Sequence, residues 1–141
     1  MEKVKPYTHK VQYYETDAMG VVHHSNYIRW FEETRLDYME QIQLPYQRVE
    51  ERGILIPVLS ASCEYRQAVK FPDTVIIETE ITAFNGLKFT TIYRVFDKTH
   101  KILHASGTTQ HCFLDQSFHP LRLKKQAPDI YEIFENCLSH E

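Results

Sequence analysis

Apolar and polar positions follow a helical period early in the chain and a period of two after Gly53. Residues 7–14 mix aromatic and β-branched residues with polar ones, which predicts a first strand. From His24 or Ser25 to about Gln41, Tyr27, Phe31, Thr34, Tyr38 and Ile42 share one helical face, flanked by Ile28 and Met39. Arg29, Glu33, Asp37 and Glu40 gather on the opposite side. Such a helix buries one stripe and wets the other. Leu44-Pro45 predicts its end, because proline disfavours helical geometry at the residue before it. Tyr46 to Arg52 has room for one or two further turns.

Beyond Gly53, residues 54–65 are apolar early and alternating later. In 74–84, Val75, Ile77, Thr79, Ile81 and Ala83 fall on one face and Glu78, Glu80 and Thr82 on the other. Asn85-Gly86 predicts a type I′ hairpin with positive φ at both residues. Segments 87–96 and 102–113 return as strands around a turn at 97–101, completing an antiparallel meander. Leu121 to Gln126 is short and basic. A terminal helix is expected from Pro128 to Leu138, with Ile130, Ile133, Phe134 and Leu138 on its apolar side. One long helix followed by a run of antiparallel strands is an α+β pattern. The expected organisation is a single domain over 1–141, with 121–141 as a C-terminal extension. A sheet of five strands has two edges, which must be short, charged, covered or paired with another subunit. Oligomerisation is expected on that ground.

A formal charge of -3 over 141 residues argues against a chain built mainly for nucleic acid. Cys63, Cys112 and Cys137 form no close pair, which fits a reducing compartment. The N-terminus lacks an apolar secretory core, and no apolar run is long enough to span a membrane. A cytoplasmic location is the default expectation. Isolated Gly86 and Gly107 do not make a phosphate-binding or dinucleotide loop, so no cofactor is expected. Ser60 and Ser62 are not in a nucleophile-elbow context, and Cys63 has no histidine partner in the pattern.

The chemistry concentrates between the first strand and the long helix. Asp17 can activate water or attack a carbonyl, and it can equally hold its own turn. Gly20 marks positive φ or a close approach. Adjacent His23 and His24 diverge, and no Glu-x-x-His or His-x-x-x-His partner stands beside them, so no metal site is expected. The His24 backbone N–H can still meet an anion at the helix start. Arg66, Lys70, Arg122, Lys124 and Lys125 are candidates for phosphates, against a plain reading as solvated surface charge. Glu32 and Glu33 could position water if either faced a cleft.

Tyr14-Glu15-Thr16-Asp17-Ala18-Met19-Gly20-Val21-Val22-His23-His24-Ser25-Asn26-Tyr27, followed by Phe31-Glu32, resembles the hotdog-fold acyl-CoA thioesterases of the 4-hydroxybenzoyl-CoA thioesterase and YbgC-like group. The resemblance implies a curved antiparallel sheet wrapped around a long central helix. It implies a homodimer, or a tetramer of two dimers, with active sites at the subunit interface. It also implies an acyl-CoA or acyl-carrier-protein thioester as substrate, with Asp17 as catalytic carboxylate. His24 would supply the oxyanion-binding N–H, and its side chain would help position substrate or water. Tyr14, Met19, Gly20, Val21, Val22, Asn26 and Tyr27 would shape the acyl site. Ile56, Leu59 and Ser60 of the partner's strand would add a wall, and Arg66 and Lys70 would meet the CoA phosphates. Met19 replaces the small residue often found before the glycine, and His23 stands where an aromatic is common; both alter the pocket. The rival readings are a non-catalytic acyl-CoA or acyl-carrier binding protein and a hotdog dehydratase.

Overall fold

The computed structural model describes residues 4–138. Strands β1 (Tyr7–Lys10), β2 (Val58–Tyr65), β3 (Thr74–Phe84), β4 (Lys88–Asp97) and β5 (Leu103–Cys112) form one antiparallel sheet, ordered β1-β3-β4-β5-β2. The sheet curves around the 17-residue helix α1 (Ser25–Gln41) in the expected α+β hotdog arrangement. Three short helices, α2 (Tyr46–Glu51), α3 (Leu123–Gln126) and α4 (Pro128–Cys137), complete the described chain.

Helix α1 divides the core lengthwise. Its first half packs Tyr27, Trp30 and Phe31 against Val75, Ile77, Tyr93 and Val95. Its second half joins Tyr38 and Met39 to a cluster closed by Ile130 and Phe134 of α4. Full burial of one such large apolar side chain is worth about 1.5–3 kcal/mol. The buried stripe differs from the helical wheel at two positions. Trp30 is fully buried, whereas Ile28 is 36% exposed. The indole turns inward because the buried Glu15 carboxylate accepts its N–H. The helix ends at Gln41, three residues before Leu44. Gln43 adopts φ 65°, which turns Leu44 into the core and lets its N–H donate to Met39 O at 2.9 Å.

Other boundaries moved for local reasons. The first strand stops at Lys10, and Tyr13–Glu15 forms a turn of 3₁₀ helix where strand was expected. The Glu15 side chain accepts the Gln12 N–H there at 2.8 Å, closing the turn. Residues 54–57 are not strand; Leu55 makes one bridge to Leu114, and Pro57 has no N–H to continue a ladder. In β3 a bulge between Ile81 and Ala83 reverses the alternation. Ala83 is therefore exposed and Phe84 half-buried, so Ala83 leaves the face on which it was expected. The turn after β3 is not type I′. Only Gly86 (φ 85°) has positive φ, and the Asn85 side chain accepts the Leu87 and Lys88 N–H groups instead. The final helix runs as expected from Pro128, burying Ile130, Phe134 and Cys137.

Candidate active site

Residues 16–22 fold as a narrow loop clamped at its base. Thr16 and Val22 pair across it, and the Asp17 N–H donates to Val21 O at 2.8 Å. Gly20 returns the chain with φ +79°; a Cβ there would meet nothing within 4 Å, so the requirement is conformational. Val22 anchors the far side, with its side chain buried and its N–H donating to Val69 O at 2.8 Å. Val21 bridges Lys70.

The Asp17 carboxylate is half-buried, and its two oxygens differ. Oδ1 accepts the Met19 N–H at 2.8 Å and the Val21 N–H at 3.4 Å. Among the described residues Oδ2 has no hydrogen-bond partner. The turn-holding and reactive readings of Asp17 are therefore compatible, one on each oxygen. Helix α1 begins directly beyond. His23 Nδ1 accepts the Ser25 N–H at 3.2 Å, and the two histidine rings stack at 4.3 Å instead of diverging as expected. The His24 N–H has no partner among the described residues. It therefore remains available at the positive end of the helix dipole.

Asp17, Met19, Val21, Val22, His24, Tyr27 and Arg66 share one cleft of about 300 Å³, with Tyr65, Gln67 and Ala68 completing its wall. Tyr65 donates its O–H to His24 O at 3.3 Å and packs edge-on against Tyr27. Burial pushes the Tyr27 phenol up to about 12, with Cys63 and Tyr65 adding to the shift, so it is a neutral wall. Burial likewise raises the Cys63 thiol and disfavours a thiolate there. Arg66 reaches Glu64 only at 3.5 Å.

Other expected residues lie apart. Tyr14 is 83% exposed and outside the cleft wall. Asn26 donates Nδ2 to Glu15 O at 2.8 Å and to His23 O at 3.2 Å, tying the loop to the helix. Lys70 joins the loop through its backbone. Ile56 lines a separate groove with Arg35, Val58 and Phe89, while Ser60 Oγ donates to Gln110 Oε1 at 3.1 Å and Leu59 is half exposed. Glu32 lines that second groove, not the Asp17 cleft. Glu33 accepts the Tyr7 O–H at 2.8 Å. Among the described residues, no cluster of three His, Cys, Asp or Glu side chains could hold a metal ion. No helix there is long and apolar enough to cross a membrane.

Glu15 carries a role its sequence context did not signal. Its carboxylate is buried and meets the Gln12 N–H, His9 Nε2 (2.9 Å) and the Trp30 indole N–H (2.7 Å). Burial alone would raise this carboxyl, but those three hydrogen bonds outweigh it and hold the group below the usual carboxylate range.

Proteins of known structure share this helix-wrapped sheet. Residues 11–132 match the family described as the Thioesterase-like superfamily. The chain belongs to that superfamily. The acyl-CoA thioester hydrolase YbgC of Escherichia coli is 25% identical over 118 residues, covering 84% of each chain. The DHNA-CoA thioesterase of Staphylococcus aureus superposes with a TM-score of 0.89 at 30% identity, over 94% of this chain and 89% of that one. The hypothetical protein TT1821 of Thermus thermophilus gives 0.88 at 33% identity, over 95% and 99%. The protein is a hotdog-fold thioester hydrolase related to the YbgC-like acyl-CoA thioesterases.

Proposed function

We propose that the protein hydrolyses acyl-CoA thioesters to free acid and CoA, with Asp17 as the reacting carboxylate. The observation that carries this reading is that Asp17 and His24 line one cleft, with Asp17 Oδ2 and the His24 N–H each without a hydrogen-bond partner among the described residues. The thioester oxygen lies against the His24 N–H, where the helix dipole opposes the growing negative charge. Asp17 Oδ2 takes a proton from water as the water oxygen bonds to the carbonyl carbon. The C–S bond then breaks, and the proton passes to the departing CoA sulfur. A well-placed oxyanion donor contributes about 3 kcal/mol to such a step. Met19, Val21 and Tyr27 flank the acyl chain, and Arg66 and Lys70 meet the CoA phosphates.

The functional unit in this reading is a homodimer. Among the described residues strand β2 is an edge strand paired with β5 alone, and it exposes Val58, Leu59 and Tyr65 by about half. Such an edge invites pairing. Antiparallel pairing of β2 with its copy sets the Val58 end of one chain beside the Tyr65 end of the other. That arrangement carries the partner's groove with Ile56, and its Leu59 and Ser60, towards the Asp17 cleft. The acyl wall is mostly apolar, so short or medium aliphatic and small aromatic acyl groups fit it. Each buried methylene is worth only about 0.8 kcal/mol, which implies graded activity over neighbouring chain lengths.

A thiol-release assay over a panel of acyl-CoA and acyl-carrier-protein thioesters, run beside a hydration assay, tests this reading. Thiol release without hydration is expected. Tight binding without release would instead show a binding protein, and hydration of an enoyl thioester would show a dehydratase. In a single turnover in ¹⁸O-water, label should enter only the product acid. Label recovered in Asp17 would replace the general-base step with carboxylate attack and an acyl anhydride.

A further inference from the structure

We infer that Glu15 is a positioning residue: its buried carboxylate sets the Asp17 loop against the start of α1. The inference rests on the Asp17 and His24 reading above. Asp17 and His24 lie seven residues apart on an irregular connection, so helix geometry alone does not fix their spacing. Glu15 spans that gap with both ends of the residue. Its carbonyl accepts the His23 N–H at 2.8 Å and the Asn26 side-chain N–H at 2.8 Å, holding the loop base to the first turn of α1. Its carboxylate accepts the Trp30 indole N–H from the second turn and meets His9 from the end of β1.

The tie is stiff because its Glu15 and Trp30 ends are both buried and have no room to retreat. Trp30 is fully buried, packs on Tyr27 at 4.9 Å between ring centres, and meets the His9 ring at 4.8 Å. Glu15 Oε1 serves Gln12 and His9 while Oε2 serves Trp30, so both oxygens are acceptors. A glutamine has only one acceptor oxygen, and its NH₂ would face an N–H donor. Charge-neutral replacement therefore breaks the tie without changing the side chain's size. Asp17 stands two residues beyond Glu15, so slack at Glu15 moves Oδ2 relative to the His24 N–H. A displacement on the ångström scale is enough to slow a reaction between oriented groups.

The test uses Glu15→Gln and Trp30→Phe in the full chain, with Asp17→Asn as a separate control. The substrate is the acyl-CoA that the unaltered protein hydrolyses fastest, assayed well below each variant's melting midpoint. Each variant is expected to lower kcat about tenfold or more. KM, and the Kd of a non-hydrolysable CoA thioether, should stay within about threefold. The double variant should fall no further than the worse single one, since both remove the same tie. Unchanged kcat in both single variants, with lowered melting midpoints alone, would overturn the inference by showing a merely structural role. Losses that multiply in the double variant would overturn it too. If Glu15→Gln does not fold, Trp30→Phe decides, because it deletes one N–H and keeps an aromatic ring. Full turnover in Asp17→Asn would defeat the underlying site reading, whereas an inactive Asp17→Asn with an unaffected Glu15→Gln defeats only the positioning role.

Discussion

Gly107 on β5 lies against the ring of Phe31 on α1, so closely that a Cβ there would stand 2.3 Å from Phe31 Cε2 and 2.7 Å from Ser62 O. The ring has little room to retreat, because it stacks on Tyr93 at 4.3 Å. Ser62 is backbone of β2, held in register with Thr108. Gly107→Ala should therefore destabilise the fold by about 1–3 kcal/mol or more, the usual cost of overpacking. Urea denaturation measures this; a change within about 0.5 kcal/mol would mean that α1 and the sheet separate more easily than the packing implies.

Asp17→Asn tests the reacting carboxylate. The amide oxygen can go on accepting the Met19 N–H, so the loop should persist. The kcat for thioester hydrolysis should drop by about 10²–10⁴-fold with KM little changed. Steady-state thiol release reads both, and near-normal turnover would remove Asp17 from the reaction.

Arg66 lines the cleft, and Lys70 follows the same segment back to the Asp17 loop. Their joint replacement by alanine should raise KM for acyl-CoA several-fold and leave kcat nearly constant. Exposed charge contacts are modest and screened by salt, so the difference should shrink as ionic strength rises. A KM that does not move would put the CoA phosphates elsewhere on the protein.

His111 makes stability depend on pH. Burial, aided by the Arg35 charge, pushes it down from 6.5 to about 4. The folded state thus binds this proton more weakly than the unfolded chain does. The contribution is fully present above pH 6.5 and is lost as pH falls towards 4, to a total of at most about 3 kcal/mol. Urea midpoints measured over that window should fall on acidification. His111→Gln removes the titrating group, so its curve should be flatter there; an equal slope would assign the loss to other groups.

The exposed edge of β2 predicts the assembly state. Light scattering and sedimentation should find a dimer or a larger even assembly at assay concentrations. Charge at the outer edge, as in Leu59→Asp, should weaken association and activity together. A dilution-stable, fully active monomer would contradict a site shared between subunits.

The long helix, the existence of five strands and the position of the Asp17–Tyr27 connection were legible in the chain's local pattern. Each rests on local period, turn residues or a contiguous motif, all of which act within a few residues. Tertiary packing sets what those features do. It buried Trp30 instead of Ile28, because Glu15, fifteen residues away, supplies an acceptor for the indole. It reversed the face of β3 after Ile81, because a bulge set by pairing with β4 outweighs strict alternation. It brought Tyr65, Gln67 and Ala68 beside Asp17, a meeting of segments about fifty residues apart that no period encodes. It also left Ile56 and Ser60 outside the Asp17 cleft of the same chain. Burial, close approach and the shape of a cleft depend on which distant segments meet, and that is fixed only when the sheet closes around α1.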